Sequence, residues 1–329
     1  MIEARAVRIT GKGDVDVLGL GTLAVRDAGP HEVRVRVAAA GLNRADLLQR
    51  RGFYPAPPGV PADVPGLEYS GTVEQVGEGV RELAPGDAVM GIVGGGGMAT
   101  HVVVPAREAI RVPAGMPLTE AAAIPEVFLT AYDALFAQGR LAAGQLALVH
   151  AIGSGVGTAA LQLGCLAGAT IVGTSRSQDK LDRCRALGLP IGLCVEKAEF
   201  ATALQSAAGG RGCDVILDTV GAAYLSENIK SLATSGRLVV VGLLGGAGAE
   251  LPLGLLLAKR ASVIGTVLRS RPPEEKAKLS QDFARDMLPQ FVSGKLKPVM
   301  DVVMPMSEVR AAHQRMDANT NFGKIVLAW

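Results

Sequence analysis

The chain has 329 residues, a formal net charge of +2, 49% hydrophobic residues and 19% charged residues. This length accommodates about two domains of ~100–200 residues each. The near-neutral charge and the absence of runs of like charge argue against a nucleic-acid binder. No apolar segment is long enough to span a bilayer, and the start MIEARAVRIT alternates like a strand rather than a secretory leader. The sequence therefore predicts a cytoplasmic globular protein with no nucleic-acid or membrane partner.

Residues 1–122 consist of short segments in which polar and apolar residues alternate. The segments are RAVRIT, EVRVRVAAAGL, YSGTVEQVG, DAVMGIV, THVVVPA and AIRVP, with glycine and proline between them. Alternation with a period of two is typical of half-buried strands. The spacing predicts a first domain, residues 1–122, that forms a partly open β-barrel or a curled antiparallel sheet.

From residue 123 onward, buried apolar runs alternate with helical patterns. The runs are QLALVH, ATIVGTS, DVILDTV, GRLVVVGLL and ASVIGTVL. This pattern predicts an α/β domain over residues 123–268, a doubly wound parallel sheet with helices on both faces. Residues 269–329 contain a long helical pattern and two further strands. Because the parallel sheet is complete without them, we expect this tail to return to the first domain.

The stretch VHAIGSGVG follows the first of these runs and precedes a helical pattern of small residues. Glycines at 153, 155 and 157 would let the backbone approach a pyrophosphate, and the N–H groups that begin the helix would receive its charge. Ile152 and Ser154 occupy the first two glycine places of the G-x-G-x-x-G motif. The stretch alone is therefore as consistent with a tight turn that binds no ligand as with a dinucleotide site.

The end of the next strand, GTSRSQDK, distinguishes between nicotinamide cofactors. Enzymes that bind NAD place an acidic residue there, about 20 residues beyond the glycines, to hold the ribose 2′-hydroxyl. Here Ser175 and Arg176 stand at that place, and Lys180 follows. A hydroxyl and two cations favour a 2′-phosphate, and therefore NADPH. The alternative is that both cations only face solvent at the start of a helix.

Together, several motifs resemble the zinc-free quinone oxidoreductase branch of the medium-chain dehydrogenase/reductase superfamily. They are AAGLNRADLLQRRGFYPAPPG, VPGLEYSGTVEQVGEGV, AAAIPEVFLTAYDAL, SGVGTAALQL, GCDVILDTVG and NFGKIVL, and they span essentially the whole chain. The tumour-suppressor-inducible NADPH:quinone oxidoreductases are the most similar group, and they carry a sequence similar to Leu268–Arg271. The resemblance implies a GroES-like first domain, a Rossmann second domain, and a homodimer formed near ASVIGTVL.

The resemblance also bears on metal binding. In zinc-dependent members, three ligands stand at the places of Asn43, Leu67 and Glu126, of which leucine cannot bind a metal and none is a thiolate. A carboxylate site made by Asp46, Glu68 and Glu126 is an unusual alternative, since zinc prefers nitrogen and sulfur ligands. We therefore predict no metal.

On the acceptor side of the nicotinamide, the resemblance assigns three catalytic residues. Asn43 and Tyr54 would line the acceptor, and Asp46 would orient them. The alternative for Asn43 is a turn residue that caps the following helix.

The cofactor-binding residues follow from the glycine turn, the strand ends and the resemblance. Thr130 would lie beside the nicotinamide, unless its hydroxyl only bonds its own helix. One departure concerns Cys194 and Val195, which replace an Asn-Tyr pair of many relatives and predict looser NADPH binding. The full predicted set is Thr130, Gly153, Ser154, Gly155, Val156, Gly157, Ser175, Arg176, Lys180, Gly242, Leu243 and Lys324.

These features predict NADPH-dependent reduction of a small-molecule quinone by hydride transfer without metal. Reducing an electrophilic quinone requires a hydride donor, a dry site and a hydrogen-bond donor for the oxyanion, but no Lewis acid. Two alternatives stay open. One is reduction of an enone or enoyl-thioester double bond, and the other is a non-catalytic NADPH-binding protein of the crystallin type.

Overall fold

The computed structural model describes residues 1–329, which form two compact units. The barrel unit comprises Met1–Leu129 and Leu268–Trp329, and the Rossmann unit comprises Thr130–Val267. The predicted fold class, a Rossmann sheet together with a GroES-like barrel domain, is confirmed.

The chain forms fifteen strands and ten α-helices. The strands are β1 (Ile2–Ile9), β2 (Leu18–Val25), β3 (Glu32–Gly41), β4 (Glu68–Val76), β5 (Ala88–Ile92), β6 (His101–Pro105), β7 (Ile110–Arg111), β8 (Leu146–Val149), β9 (Thr170–Ser175), β10 (Ile191–Cys194), β11 (Cys213–Asp218), β12 (Leu232–Val240), β13 (Ser262–Gly265), β14 (Met300–Pro305) and β15 (Lys324–Ala328). The helices are α1 (Arg44–Arg50), α2 (Leu118–Ala121), α3 (Pro125–Tyr132), α4 (Gly155–Leu166), α5 (Gln178–Ala186), α6 (Ala201–Ala207), α7 (Leu225–Ser231), α8 (Leu253–Lys259), α9 (Pro273–Val292) and α10 (Val309–Asp317). No helix combines the length and the apolar character needed to cross a membrane.

The barrel unit is built on a mainly antiparallel sheet in the order β14-β15-β3-β4-β5-β7, with β6 also paired to β3. Along β3, Val33, Val35 and Val37 are at most 4% exposed and pack into one core cluster. Period-two burial of this kind places alternate side chains on the same face of a strand. The C-terminal strand β15 pairs antiparallel with β3, so that Val326 lies opposite Gly41. This pairing brings the C-terminal segment into the barrel unit.

The boundary between the units lies within helix α3, later in the chain than residue 122. Two contacts hold the first part of this helix to the barrel unit. The backbone N–H of Glu126 donates to Glu68 at 2.8 Å, and the ring of Phe128 lies 4.9 Å from that of Phe291. The sequence pattern changes from strand to helix at residue 123, but side-chain packing places the division after Leu129.

The Rossmann unit contains a six-stranded sheet in the order β10-β9-β8-β11-β12-β13, with every neighbouring pair parallel. Central side chains such as Leu148, Val172 and Ile216 are fully buried. Helices cover both faces of parallel sheets, which explains why these strands are continuous apolar runs in the sequence. The strand order reverses between β8 and β11, so the carboxyl ends of these strands mark the ligand-binding edge typical of this architecture.

Candidate functional site

A buried ion pair lies at the centre of the barrel unit. The ammonium group of Lys324, the first residue of β15, donates to the carboxylate of Glu68, the first residue of β4. The same group donates to Asn43 Oδ1 at 2.8 Å and to the carbonyl of Leu42 at 3.0 Å. An ammonium group has three hydrogens, and all three are used here. Lys324 has no donor left for a cofactor, so we do not propose the cofactor contact that the sequence predicted.

Asn43 completes this arrangement from the start of helix α1. Its Nδ2 group donates to Glu68 Oε1 at 2.8 Å and to the carbonyl of Gly41 at 3.3 Å. Asn43 also occupies the N-cap position of α1, as the alternative interpretation of this residue expected. Because both of its amide hydrogens are engaged, the side chain is held rigidly in the ion-pair network. Its catalytic role stays a prediction.

Asp46 is fully buried and holds the backbone on either side of the network. One carboxylate oxygen accepts the N–H of Asn43 at 2.8 Å, and the other accepts the N–H of Gly66 at 2.9 Å. Burial raises the pKa of Asp46 to about 6, although both backbone bonds oppose the rise. Gly66 has a φ of 102°, and a Cβ there would lie 2.4 Å from the backbone nitrogen of Met98. Asp46 therefore orients the turns around Asn43 through the backbone.

Glu126 is the third carboxyl group of this region, and its side chain is only half-buried. It lies in the first turn of α3, which its backbone N–H fixes to Glu68 Oε2. Burial and the negative charge of Glu68 raise the pKa of Glu126 to about 8, while Lys324 opposes the rise. A carboxyl group that is largely neutral near pH 7 is able to donate a hydrogen bond or a proton.

Arg269 is a site residue that the sequence did not predict. Its guanidinium group is buried and donates to the carbonyls of Gly94 and Tyr54 at 2.6 and 2.9 Å and to Gln49 Oε1 at 2.7 Å. The guanidinium carbon also lies 4.7 Å from the centre of the Tyr54 ring, which is a cation–π distance. Arg269 thus positions the loop that carries Tyr54. The LRSR sequence contributed to the family resemblance, but nothing in it indicated that Arg269 is buried.

The residues at the three zinc-ligand places do not fit a metal. Leu67 has no donor atom, and the Asn43 amide is bonded to Glu68 and Lys324. Both Glu68 oxygens are also engaged, one by these partners and the other by the N–H of Glu126. Zinc requires several free nitrogen, sulfur or carboxylate donors directed at one point. No group of three or more potential ligands of this kind is present.

The glycine turn of the Rossmann unit fits a dinucleotide. Strand β8 leads through a turn into α4, whose N-cap is Ser154, and Ser154 Oγ accepts the N–H of Gly157 at 3.0 Å. A Cβ at Gly157 would lie 2.5 Å from the carbonyls of Ala151 and Ile152, so only glycine allows the helix to approach the turn this closely. Ala151 takes the left-handed conformation of the turn, with a φ of 50°. The first N–H groups of this 12-residue helix suit a pyrophosphate, next to half-buried Val156.

The predicted 2′-phosphate residues follow β9. Ser175 Oγ accepts the N–H of Ser177, and Ser177 in turn caps α5 by accepting the N–H of Lys180 at 3.3 Å. Arg176 is exposed and Lys180 is half-buried. The positive charge of Arg176 also opposes the rise that burial causes in the pKa of Tyr224. Ser175, Arg176 and Lys180 therefore lie around one strand end, and their cofactor role stays a prediction.

A buried chain of polar residues beneath this edge escaped the sequence analysis. His150 bonds Thr174 Oγ1 at 2.8 Å through Nδ1 and Asn228 Oδ1 at 2.7 Å through Nε2, and Asn228 donates to Asp218. Burial lowers the pKa of His150 to about 4, so the ring is neutral near pH 7. Asp218 accepts the N–H of Val220 at 2.6 Å and caps the end of β11. The chain ties together the ends of β8, β9 and β11. Its sequence signal is a histidine directly before the glycine turn.

The remaining predicted cofactor residues lie on the same unit. Thr130 is a half-buried residue of α3 and the first residue of the Rossmann unit. Gly242 and Leu243 follow β12, where Gly242 is half-buried and Leu243 is exposed. Gly153 and Gly155 belong to the glycine turn described above. For all of these residues, contact with a cofactor stays a prediction.

Comparison with known proteins follows the same division into units. The alcohol dehydrogenase GroES-like domain family matches residues 29–114, and the zinc-binding dehydrogenase family matches residues 155–285. The quinone oxidoreductase of Rattus norvegicus is 30% identical over 326 residues, or 98% of this chain and 97% of the rat protein.

Two solved structures extend this likeness to the whole fold. The quinone oxidoreductase of Pseudomonas syringae pv. tomato DC3000 has a TM-score of 0.89 and 28% identity, and the match covers 99% of this chain and 100% of that one. The CurK enoyl reductase has a TM-score of 0.86 and 26% identity, with 99% of each chain covered. Both structures thus match the barrel and Rossmann units together.

The buried ion pair gives a test of this site. Removing one member of a buried pair leaves the other charge uncompensated and costs about 3–5 kcal/mol. We expect Lys324→Met to lower the free energy of unfolding by an amount in this range, and Lys324→Met with Glu68→Gln to lower it by less. Urea denaturation measures both. Lys278→Met, which breaks an exposed pair with Asp282, is the control and should cost at most about 1 kcal/mol. Equal losses in the single and double variants would contradict the pairing.

Proposed function

The chain belongs to the quinone oxidoreductase branch of the medium-chain dehydrogenase/reductase superfamily, and on that premise we propose that it reduces small-molecule quinones with NADPH and without metal. The coarser activity, that of an oxidoreductase with a nicotinamide cofactor, follows from the family. The observation that carries the finer proposal is the Lys324–Glu68–Asn43 network, which occupies the place of a metal site. A site without a Lewis acid suits an acceptor that is already electrophilic.

In this proposal, the Rossmann unit holds the cofactor. The N-terminus of α4 and the Ser154–Gly157 turn receive the pyrophosphate, and Ser175, Arg176 and Lys180 receive the 2′-phosphate. When bound, NADPH supplies a hydride. The hydrogen-bonded chain from His150 to Asp218 keeps the strand ends that carry these residues in register.

The barrel unit holds the acceptor. Tyr54 is half-buried on a loop that Arg269 fixes through its carbonyl and its ring, so its hydroxyl has a defined position. Burial and the charge of Glu126 raise the pKa of Tyr54, which keeps the hydroxyl protonated and able to donate. Asn43 is the second residue proposed to line the acceptor. Because both of its amide hydrogens are engaged by Glu68 and the Gly41 carbonyl, it shapes the site and the Tyr54 hydroxyl is the proposed oxyanion donor. A fixed donor stabilises an oxyanion without reorganisation during the reaction.

Likeness to the CurK enoyl reductase supports a second candidate function, the reduction of an enone or enoyl-thioester double bond. The same hydride donor and the same oxyanion donor serve both reactions, so the shape of the acceptor site distinguishes them. A non-catalytic NADPH-binding role is the third candidate function.

Steady-state oxidation of NADPH with a panel of quinones and a panel of enones distinguishes the three candidate functions. We expect turnover with quinones that survives treatment with a chelator. Tyr54→Phe should lower kcat more than it raises the dissociation constant for NADPH, by up to roughly 10²- to 10³-fold if its hydroxyl is the principal oxyanion donor. Phe53→Leu, at the exposed neighbouring residue, is the control. Turnover with enones alone would favour the second function, and no oxidation with either panel the third.

The choice of cofactor gives a separate test. A 2′-phosphate carries nearly two negative charges, so one or two orders of magnitude of preference for NADPH are expected, or roughly 1.4–3 kcal/mol. The double substitution Arg176→Ala with Lys180→Ala should raise the dissociation constant for NADPH and leave that for NADH nearly unchanged. Fluorescence titration measures both, and Arg183→Ala on the same helix is the control. Equal binding of the two cofactors by the unmodified protein would show that the cations only face solvent.

We further propose that two copies of the chain pair through β13. This strand ends the parallel sheet with one side unpaired, and Val263 on it is 40% exposed. Exposed edges of this kind form backbone hydrogen bonds with a second sheet. Leu253 and Leu257 on helix α8, which directly precedes β13 in the chain, are 66% and 80% exposed and add apolar surface to this unit.

Analytical ultracentrifugation tests this assembly. We expect a dimer at micromolar concentration, and Val263→Lys should shift it towards monomer because a charge on the edge opposes strand pairing. Leu20→Lys, on an exposed strand of the barrel unit, is the matched control and should leave the dimer intact. A monomeric unmodified protein would contradict the proposal.

A further inference from the structure

Three aromatic rings pack edge to face beneath the carboxyl ends of the parallel strands. The ring of Tyr224 lies 4.8 Å from that of His150 and 5.1 Å from that of Phe200, and the last two lie 5.1 Å apart. Edge-to-face pairs at such distances are stabilising. His150 and Phe200 are at most 1% exposed, whereas Tyr224 is half-buried and its hydroxyl reaches solvent. The ring of Tyr224 is thus fixed from the inside, while its hydroxyl stays accessible.

The backbone before Tyr224 is equally constrained. Asp218, the last residue of β11, accepts the N–H groups of Val220 and Gly221 at 2.6 and 3.1 Å. Gly221 has a φ of 80°, and its carbonyl accepts the N–H of Tyr224 at 2.9 Å. The turn after β11 therefore holds the Tyr224 side chain in one defined position at the ligand-binding edge of the sheet.

A chain of contacts leads from Tyr224 to the end of β9. Its ring contacts His150, whose Nδ1 bonds Thr174 Oγ1 at 2.8 Å. Thr174 directly precedes Ser175 and Arg176. The charge of Arg176 also acts on the Tyr224 hydroxyl, since it opposes the rise in pKa that burial causes there. Tyr224 therefore lies beside the residues proposed to receive the 2′-phosphate.

Strand β10 reaches the same place but supplies no aromatic side chain. The N–H of Val195, directly after this strand, donates to the Ser175 carbonyl at 2.8 Å. Val195 is 4% exposed and belongs to the same core cluster as Phe200, against which Tyr224 packs. The aromatic side chain at this end of the sheet thus comes from the turn after β11 rather than from β10.

The polar groups of Tyr224 and Arg176 are both available to a ligand. The Tyr224 hydroxyl forms no hydrogen bond within the protein, and the exposed Arg176 guanidinium group forms neither a hydrogen bond nor an ion pair. Because burial raises the pKa of Tyr224, the hydroxyl is protonated near pH 7 and able to donate. A hydroxyl donor beside a guanidinium group suits an oxyanion such as a phosphate.

We propose that Tyr224 donates a hydrogen bond to the 2′-phosphate of NADPH next to Arg176 and thereby contributes to the choice of NADPH over NADH, a role that rests on the proposed function. Because His150 and Phe200 already fix the ring, little conformational entropy is lost when the bond forms. The looser NADPH binding predicted from Val195 is then offset by a donor from a different strand end.

Isothermal titration calorimetry with NADP⁺ and with NAD⁺ tests this role, because the two probes differ by the 2′-phosphate alone and need no turnover. Tyr224→Phe keeps the ring and removes the hydroxyl. It should raise the dissociation constant for NADP⁺ about 10-fold, as expected for a hydrogen bond to a charged group, and leave that for NAD⁺ nearly unchanged. Tyr132→Phe is the matched control and should change neither constant, since Tyr132 is a half-buried tyrosine of the same unit whose ring contacts Phe136.

A double-mutant cycle gives a second readout that a merely structural role would not move. If Tyr224 and Arg176 bind one phosphate, Tyr224→Phe should have a smaller effect on NADP⁺ binding when Arg176→Ala is already present. Independent effects would contradict a shared ligand. Because the Tyr224 hydroxyl has no partner in the protein, Tyr224→Phe should unfold at the same urea concentration as the unmodified protein.

The possible failures are distinguishable. An unmodified protein that prefers NADP⁺, with the whole preference kept in Tyr224→Phe, would overturn the role of Tyr224 and leave the proposed function standing. An unmodified protein that binds NADP⁺ and NAD⁺ equally would overturn the choice of NADPH in the proposed function, and the role of Tyr224 with it.

Discussion

The barrel unit depends on one buried ion pair, between Lys324 at the start of the last strand and Glu68 at the start of β4. Burial of two charges is costly in itself, and it is tolerated here because every remaining donor and acceptor has a partner. Asn43 bonds both charged groups, and the N–H of Glu126 bonds the carboxylate. A segment from the end of the chain is thereby fixed to segments from its first half. The positions of the proposed acceptor residues follow from this constraint.

The same network supports the proposal that reduction proceeds without a metal. Lys324 supplies one positive charge at a buried carboxylate, and its hydrogens are directed at fixed oxygens. A metal would offer a site for a substrate oxygen, whereas a saturated ammonium group offers none. In the proposed reaction, stabilisation of a developing oxyanion then falls to Tyr54. Burial raises the pKa of Tyr54, which keeps its hydroxyl protonated.

In the Rossmann unit, the corresponding constraint is the close approach of helix α4 to the turn after β8. Gly157 allows α4 to pack against the turn after β8, and Ser154 satisfies the N–H of Gly157 at the helix start. Below the turn, the polar chain from His150 to Asp218 is buried and hydrogen-bonded throughout. A fully satisfied buried network of this kind fixes the relative positions of strand ends more strictly than apolar packing does. This edge of the sheet is thus rigid beneath and rich in small residues above.

The sequence by itself determined the fold class and the place of the glycine turn between β8 and α4. The sequence shows alternating polarity around Val33 and Val35 and a continuous apolar run around Leu148. Both are local signals, because strand periodicity and burial on two faces determine the polarity of neighbouring residues. Tertiary structure alone decided the partners of Lys324, the burial of Arg269 and the different environments of three carboxyl groups. Several of these contacts join residues more than 200 positions apart, as between Lys324 and Glu68. The charge environment of a side chain depends on such long-range contacts, which a local sequence pattern does not reveal.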